Sequence, residues 1–281
     1  MKHTTVVLHG ATGTQGRAIL QRLLAAGHDV RAVTRRPRPD TDPAVQAVVA
    51  DLLDLDALVA AYTGADAVVV QLPLDFSADA VRRADTMLAA LGKAGVRRAV
   101  FNTGTGLPPA VPIGVPFIDA RVRLAAGLPG AVRHATVLGP AGPYLENLVA
   151  PWSRSLIRDN GDLRYPLPAE APVPWAAAAD IGTEIAAQAL AAAPAPARIV
   201  AGPAPVTGPE LAAQLTSALG RPVSWQTIEP AEYARMLAPH LGETVAEGIA
   251  AAYAHPAPPP DPGLLTHGTT TPAAWAARQT F

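Results

Sequence analysis

Three glycines, at positions 10, 13 and 16, separate a short apolar run from an amphipathic one, and they constrain the fold more than any other feature. The run over 4–9 predicts a buried strand, and the run over 16–27 predicts a helix with one apolar face. Glycines at such a junction permit a tight turn and let a phosphate approach the unpaired N–H groups of the helix. The pattern predicts a nucleotide-binding turn, whose residues are Gly10, Thr12, Gly13, Thr14, Gln15 and Gly16. A tight strand–helix turn without a ligand is the alternative.

Strand and helix patterns alternate through the first half of the 281-residue chain. This alternation is typical of a parallel sheet whose strands are connected by crossover helices. A long helix is predicted over 78–95, and another is predicted to begin near Pro116. Further strands are predicted over 28–35, 44–51, 65–72, 97–104 and 132–139. The predicted fold class is α/β, a Rossmann-type doubly wound parallel sheet with a small C-terminal substrate-binding domain.

The pattern loosens after residue 140, where prolines and aromatic residues accumulate. A helix over 180–193 and a strand over 197–202 are predicted to return to the sheet. Small helices, one strand near 222–228 and a proline-rich segment complete the chain. We therefore predict a cofactor-binding Rossmann domain of residues 1–142 with 176–203, and a substrate-binding or lid region of residues 143–175 with 204–281.

The residues that follow the second predicted strand indicate which dinucleotide is bound. A carboxylate at this place would bind the 2′-hydroxyl of an adenosine ribose, but the chain has Arg35 and Arg36 there. Two guanidinium groups suit a 2′-phosphate, so NADP(H) is predicted rather than NAD(H). A solvated basic loop is the alternative. The predicted cofactor site further includes Asp51, Leu52, Gln71, Leu72, Pro73, Asn102 and Gly139.

Composition excludes several classes of site. The chain has no cysteine, so thiolate ligands and a cysteine nucleophile are excluded, and its seven histidines show no metal-ligand spacing. A net charge of −1 gives no electrostatic footprint for nucleic acid or an anionic membrane. No apolar run approaches the ~20 residues of a membrane span, and the first residues read as a strand rather than a signal peptide. We expect a cytoplasmic protein that acts on a small molecule and binds no metal. The sequence does not indicate the oligomeric state.

Six stretches together carry a resemblance to a known family. The chain resembles the atypical, NmrA-like branch of the short-chain dehydrogenase/reductase superfamily over most of its length, and residues 208–237 are similar to that branch's small substrate domain. The resemblance implies an NADPH or NADP+ cofactor and says little about the substrate. The matching stretches are GATGTQG, VTRRP, ADLLD, GADAVVVQLP, GVRRAVFNTG and HATVLGPAGPYLENL.

The catalytic pair usual in this superfamily, Tyr-x-x-x-Lys, is absent. None of the five tyrosines is followed by lysine four residues later, and the matching positions hold Phe117 and Arg121. The superfamily's serine falls near Thr103 or Thr105. The resemblance therefore implies Thr103 and Arg121 as candidate catalytic residues, with a turn residue and a surface ion pair as their structural alternatives. The candidate substrate-binding residues are Phe117, Tyr144, Asn147 and Trp152, for which simple packing is the alternative.

Three functions agree with these absences. The first is an NADPH-dependent ketoreductase of aromatic polyketide-like substrates, similar to angucyclinone ketoreductases, in which the substrate or a water supplies the proton. The second is an NADPH-dependent quinone reductase, since hydride addition to a conjugated acceptor needs little acid assistance. The third is a non-catalytic NADP(H)-sensing regulator of the NmrA type. Isomerase or lyase chemistry with a bound cofactor is a further alternative.

Overall fold

The structure is a computed structural model that describes residues 4–36, 45–255 and 259–281. Up to residue 140, strands and helices alternate as the sequence predicts, and α2 is an additional helix that the sequence analysis did not identify. These elements are β1 (Thr5–His9), α1 (Thr14–Ala25), β2 (Asp29–Thr34), β3 (Val45–Val49), α2 (Leu55–Tyr62), β4 (Ala67–Gln71), α3 (Asp79–Lys93), β5 (Arg98–Asn102), α4 (Pro116–Ala131) and β6 (His134–Pro140).

The later part of the chain contains shorter elements. The strands β7 and β10 were not predicted. The elements are a 3-10 helix (Leu145–Val149), α5 (Pro151–Ser155), a π-helical turn (Leu156–Asn160), β7 (Asp162–Tyr165), α6 (Ala178–Leu190), β8 (Ala197–Ala201), α7 (Gly208–Leu219), β9 (Ser224–Thr227), α8 (Pro230–Leu241), α9 (Glu243–Ala254), a second 3-10 helix (Pro262–Leu264), β10 (Leu265–His267) and α10 (Pro272–Ala276).

The contacts divide the described chain into two compact units. The first comprises the described residues within Met1–Pro140 and Ile181–Val200, and the second those within Ala141–Asp180 and Ala201–Phe281. The structural boundaries thus follow residues 140, 180 and 200. The predicted boundaries follow residues 142, 175 and 203, and the function assigned to each domain stays a prediction.

The sheet of the first unit has the predicted doubly wound topology. Seven strands in the described part of this unit lie in the order β8-β6-β5-β4-β1-β2-β3, with parallel pairing throughout. From β1 the chain proceeds outward through β2 to β3, and it then returns to β4 on the other side of β1. Ligands of such sheets bind at the carboxyl ends of the strands beside this reversal, which here lies between β1 and β4.

Helices cover the sheet of the first unit on both faces. Helices α2, α3 and α4 pack together on one face, where Leu58, Met87 and Leu124 are fully buried. Right-handed crossovers place α1 on the opposite face, because its connection runs in the opposite direction along the sheet. There α1 meets α6 so closely that a Cβ at Gly182 would lie 2.9 Å from the backbone of Ala18. The predicted fold class is therefore confirmed.

The second unit has its own aromatic core. Two of its strands, β7 and β9, pair in parallel, and Tyr165, Trp175 and Tyr233 are buried beside them. Helix α7 begins with a capping box between Thr207 and Glu210, which satisfies two backbone N–H groups at its first turn. Across the described residues of both units, no helix combines the length and the apolar character that crossing a membrane requires.

Candidate cofactor and active site

The glycine turn between β1 and α1 depends on two residues without side chains. Gly10 has a φ of +63°, which L side chains rarely adopt, and its carbonyl accepts a hydrogen bond of 2.9 Å from Gly13 N–H. Gly16 packs against this turn: a Cβ there would lie 2.5 Å from the Gly10 carbonyl carbon and nearer still to its oxygen. The first and third glycines are therefore required by the fold itself.

The start of α1 is open to an anion. Gly13 is the N-cap, no side chain caps the helix, and its first turn contains no acidic residue. Thr12, Gly13 and Thr14 are exposed. The N–H groups of a first helical turn have no partner within the helix and carry positive partial charge. The residues present therefore fit the pyrophosphate of a dinucleotide, with Thr14 and Gln15 as the residues whose N–H groups would hold it and Gly13 as the residue that lets it approach.

A network of side-chain amides connects this turn to β4 and β5. The Asn102 amide donates to Gln15 Oε1 at 2.8 Å and to Gln71 Oε1 at 2.9 Å. Gln71 in turn donates to the carbonyl oxygen of His9 at 2.6 Å. Asn102 is buried, so both of its N–H donors are used within the protein. Sequence reasoning named all three amides as separate cofactor contacts and missed that they hold the glycine turn against the strand ends.

The predicted 2′-phosphate residues occupy the appropriate place. Arg35 and Arg36 directly follow β2 and are exposed. Asp51, after β3, is also exposed and accepts a hydrogen bond from Leu53 N–H at 2.9 Å, whereas Leu52 is half-buried. Pro73 is exposed at the end of β4. The assignment of these residues to the cofactor stays a prediction, and residues 37–44 of the basic loop lie outside the described residues.

The Thr103 hydroxyl is hydrogen-bonded within the protein, and the catalytic role predicted for this residue stays a prediction. Its hydroxyl lies 2.5 Å from the Thr105 carbonyl oxygen and 3.2 Å from that of Leu138, and the side chain is buried. A hydroxyl has one proton to donate, and here it is directed at these two carbonyl oxygens. Gly139, predicted as a cofactor contact, makes room for this loop, since a Cβ there would overlap Thr103 Oγ1 and Thr105 O. Both residues shape the backbone after β5.

Arg121 is buried within the first unit, so the surface ion pair considered for it is wrong. Its side chain is 4% exposed, and no carboxylate in the described part of the chain forms a salt bridge with it. The guanidinium donates to the carbonyl oxygens of Leu72 at 3.4 Å, Thr103 at 2.9 Å and Phe117 at 2.9 Å. Burial lowers the pKa of Arg121 to about 9, so the group stays charged at neutral pH. One side chain thus joins the ends of β4 and β5 to α4.

The ring of Phe117 lies in the middle of a three-layer stack. The Arg121 guanidinium carbon lies 3.5 Å from the ring centroid, and the Phe76 ring stacks on Phe117 at 5.0 Å with an interplanar angle of 13°. Two groups at these distances cannot share one face of a ring, so they cover opposite faces. Phe117 is therefore a packed residue with no proton to donate, in the position where the superfamily's tyrosine stands.

The titratable pair nearest to the glycine turn is also unsuited to proton donation. The imidazole Nε2 of His9 lies 2.7 Å from the Tyr62 hydroxyl, and both side chains are buried. Burial lowers the pKa of His9 to about 3 and raises the pKa of Tyr62, so both groups are neutral at pH 7. In the described residues no three acidic or histidine side chains come together as a metal site. Among the described residues of the first unit, the buried groups near the turn therefore offer a positive charge and no acid suited to donate a proton.

The remaining predicted substrate residues belong to the second unit. Asn147 donates to the Tyr165 hydroxyl at 3.1 Å, and this hydroxyl lies 2.7 Å from that of Tyr253. The buried Tyr144 hydroxyl and Trp152 Nε1 have no hydrogen-bond partner among the residues described. Sequence reasoning missed the tyrosine pair, which gives no local pattern because its members are 88 positions apart. The contact of Tyr144, Asn147 and Trp152 with a substrate stays a prediction.

A doubly wound parallel sheet with an uncapped glycine turn at its reversal defines the class of dinucleotide-binding proteins. The model of the NmrA-like family matches residues 2–256, and the chain belongs to this family. The chain is 31% identical over 270 residues to an NAD(P)H azoreductase of Xenophilus azovorans. The aligned region covers 91% of this chain and 88% of that protein.

Solved structures share the fold. An NADPH-dependent quinone oxidoreductase of Escherichia coli, in complex with NADPH, has a TM-score of 0.72 and 21% identity, covering 97% of this chain and 98% of that one. A triphenylmethane reductase of Citrobacter sp. has a TM-score of 0.69 and 19% identity, covering 89% and 88%. At these identities the likeness concerns the fold alone.

Proposed function

We propose that this protein is an NADPH-dependent reductase of conjugated aromatic acceptors, with quinones as the principal substrate class. The observation that carries the proposal is the replacement of the catalytic pair by a stacked Phe117 and a buried, charged Arg121. Such a site has a fixed positive charge and lacks a proton donor. It suits an acceptor that takes a hydride without simultaneous protonation. The names of the azoreductase relative and of the quinone and triphenylmethane reductase structures support conjugated acceptors and NADPH.

The balance of the reaction explains why no protein acid is needed. NADPH supplies a hydride, and a quinone that accepts it becomes a hydroquinone monoanion. A phenol has a pKa near ~10, so the anion is a moderate base that takes its proton from water after hydride transfer. The sum is quinone + NADPH + H⁺ → hydroquinone + NADP⁺. A simple ketone would instead form an alkoxide, a far stronger base that requires an acid at hand.

The residues around Arg121 would prepare the site for this charge. Arg121 has five N–H donors, and hydrogen bonds to three carbonyl oxygens hold the group rigidly. A fixed charge with low exposure stabilises developing negative charge more than the same charge in water. Thr103 contributes by holding the loop whose carbonyl receives one of these bonds. We assign Arg121 electrostatic stabilisation and Thr103 a positioning role.

A ketone with an adjacent phenol is the second candidate substrate. The missing acid at position 117 suits it equally, because the phenol would protonate the alkoxide within the substrate. Aromatic polyketide-like ketones have this arrangement. A regulator that senses NADP(H) through the same turn is the third candidate, and only the absence of the catalytic pair favours it.

One panel experiment separates these candidates. NADPH oxidation is measured with 1,4-naphthoquinone, an azo dye, and matched aromatic ketones with and without an adjacent phenol. We expect turnover of the quinone and the dye. Turnover of only the phenolic ketone would establish the second candidate instead. Tight NADPH binding without oxidation of any acceptor would contradict a reductase and support the regulator.

The two arginines after β2 provide a test of cofactor identity. Arg35→Ala combined with Arg36→Ala is expected to weaken NADPH binding by about a hundredfold, because two charged hydrogen-bonding groups on the 2′-phosphate are lost. NADH binding should change by less than about threefold. Equilibrium titrations of the purified variant with both cofactors measure the difference. An equal loss for NADPH and NADH would remove the assignment.

The packed ring at position 117 provides a second prediction. Phe117→Tyr restores a phenol at the superfamily's position but without the lysine that would lower its pKa. We expect turnover of quinone to change by less than about threefold. The measurement is kcat with 1,4-naphthoquinone at saturating NADPH. An increase of about tenfold or more would mean that the wild-type protein is limited by a missing acid.

A further inference from the structure

Exposed apolar side chains concentrate at the carboxyl ends of the strands. The large hydrophobic residues that are exposed in the described chain are Val49, Leu74, Val111 and Ile113. Val49 ends β3, Leu74 follows β4, and the other two lie in the loop between β5 and α4. Monomeric proteins rarely keep contiguous apolar patches in water without a use for them. Three of these residues therefore mark the loops 72–78 and 104–115, beside the strand reversal, as a binding surface.

The first turn of α4 joins these two loops. Phe76, from loop 72–78, stacks on Phe117 at 5.0 Å. From the other loop, the backbone N–H groups of Ile113 and Gly114 donate to the Asp119 carboxylate at 2.7 and 3.1 Å. Phe117 and Asp119 lie on the same helical turn, so it fixes both loops. The two apolar loops therefore belong to one surface with a defined geometry.

The charge of this surface points to an uncharged ligand. Residues 104–115, GTGLPPAVPIGV, include no charged residue. The single carboxylate of loop 72–78, Asp75, forms an ion pair with Arg83 on α3. No exposed charge of either loop is thus left to pair with a charged substituent, and an anionic ring would lose its hydration without compensation.

The stack identifies the shape of the ligand. Arg121 and Phe76 cover the two faces of Phe117, so Phe76 is the last layer of the stack. Phe76 is half-buried, and no second aromatic ring among the described residues packs against it. The face turned away from Phe117 meets no further ring of the described residues, and a flat apolar face of this kind is one on which aromatic rings stack. A planar ring there would extend the stack, and the Arg121 charge would act on it through the Phe117 and Phe76 rings rather than by direct contact.

We propose that Phe76 is the stacking surface for the acceptor and that Leu74, Val111 and Ile113 form its rim, so that the site selects flat, uncharged, fused aromatic rings. This inference rests on the proposed function, which it deepens by naming the substrate class. The acceptor's apolar ring is buried between the two loops, and its reactive carbonyl needs no charged recognition group. The rim and Phe76 set specificity and take no part in the chemistry.

The test compares rim variants with a matched control at the same edge of the sheet. Val111→Asn with Ile113→Asn removes apolar rim area, Leu74→Asn does so in the other loop, and Phe76→Leu keeps an apolar side chain without the flat face. Val49→Asn is the control, because Val49 is 52% exposed but lies at β3, with β2 and β1 between it and β4. The four substituted aliphatic residues are exposed, so their replacement by asparagine should leave the fold intact. Phe76 is half-buried, and leucine keeps an apolar side chain there.

Two readouts are measured for each variant. The first is kcat/KM for 1,4-naphthoquinone and for its 2-sulfonate. The second is the dissociation constant of 2-naphthol, which requires no turnover. We expect the wild-type protein to prefer the uncharged quinone by about tenfold, and each rim variant and Phe76→Leu to lose about tenfold in kcat/KM for it and in 2-naphthol binding. The Val49 variant and the NADPH dissociation constants should change by less than about threefold.

The outcomes separate this inference from the proposed function. Quinone reduction that is unchanged in all of the rim variants and in Phe76→Leu would overturn the inference and leave the proposed function in place. If no quinone is reduced but 2-naphthol binding weakens in the rim variants and not in the control, the proposed function fails and the aromatic site stands. Equal loss in the Val49 variant would mean that the effect is not confined to the two loops, which overturns the inference.

Discussion

Gly13→Ala is expected to leave the protein folded and to weaken NADPH binding by about ten- to a hundredfold. The backbone at Gly13 has a φ of −77° and a ψ of 168°, which alanine adopts without strain. The added Cβ would lie 3.4 Å from Gly10 O, an ordinary contact. The methyl group would instead oppose the close approach of the pyrophosphate to the N–H groups of α1. Binding and folding are therefore separable at this glycine.

Two further glycine variants make the comparison decisive. Gly92→Ala in α3 adds a Cβ into open space. This variant should lose neither NADPH affinity nor stability measurably. Gly16→Ala forces the Cβ against the Gly10 carbonyl and should lower the free energy of unfolding by more than about 2 kcal/mol. Thermal unfolding and NADPH titration measure all three. Unchanged NADPH binding in Gly13→Ala would place the cofactor away from this turn.

Arg121→Met is expected to lower kcat by about a hundredfold and the free energy of unfolding by about 2–3 kcal/mol. The substitution removes the buried charge and leaves the carbonyl oxygens of Leu72, Thr103 and Phe117 without their donor. It also removes the group that covers one face of the Phe117 ring. The measurements are kcat with 1,4-naphthoquinone and urea unfolding in the absence of substrate.

Arg121→Lys distinguishes the charge from the hydrogen bonds. The ammonium keeps the charge but cannot reproduce the planar set of donors. The lysine variant should therefore be less stable than the wild-type protein and retain about a tenth or more of its kcat. Arg123→Met is the matched control on the same helix. Its side chain is 56% exposed and pairs with Asp85 at the surface, so kcat should not change. Equal loss of kcat in the lysine and methionine variants would show that Arg121 acts only through the loops.

Local patterns were sufficient to predict most elements of the first unit, with α2 as the exception. The glycine turn, the apolar strands and Pro116 at the start of α4 each have their cause within a few neighbouring residues. The basic Arg35–Arg36 pair follows from strand position in the same way. These features were read from the sequence because turn geometry and hydrophobic period are encoded locally.

The predictions that differ depend on contacts between distant residues. The sequence left a surface ion pair open as the alternative for Arg121, but the side chain is buried and donates to carbonyl oxygens 18 and 49 positions away. The hydrogen bond from Thr103 to the Leu138 carbonyl oxygen likewise joins residues 35 positions apart. The amide network requires Gln15 at the start of α1 to meet Gln71 and Asn102 at the ends of β4 and β5. No single-sequence pattern reports such tertiary partners.

We expect hydride to reach a conjugated acceptor without a proton from the protein. The direct test is the pre-steady-state rate of 1,4-naphthoquinone reduction between about pH 6 and 8, with NADPH and with NADPH deuterated at C4, in H₂O and in D₂O. We expect a slower rate with the deuterated cofactor, no titration across this range and no slowing in D₂O. A rate that falls as the pH rises through one apparent pKa and that slows in D₂O would instead show that a protein acid donates the proton.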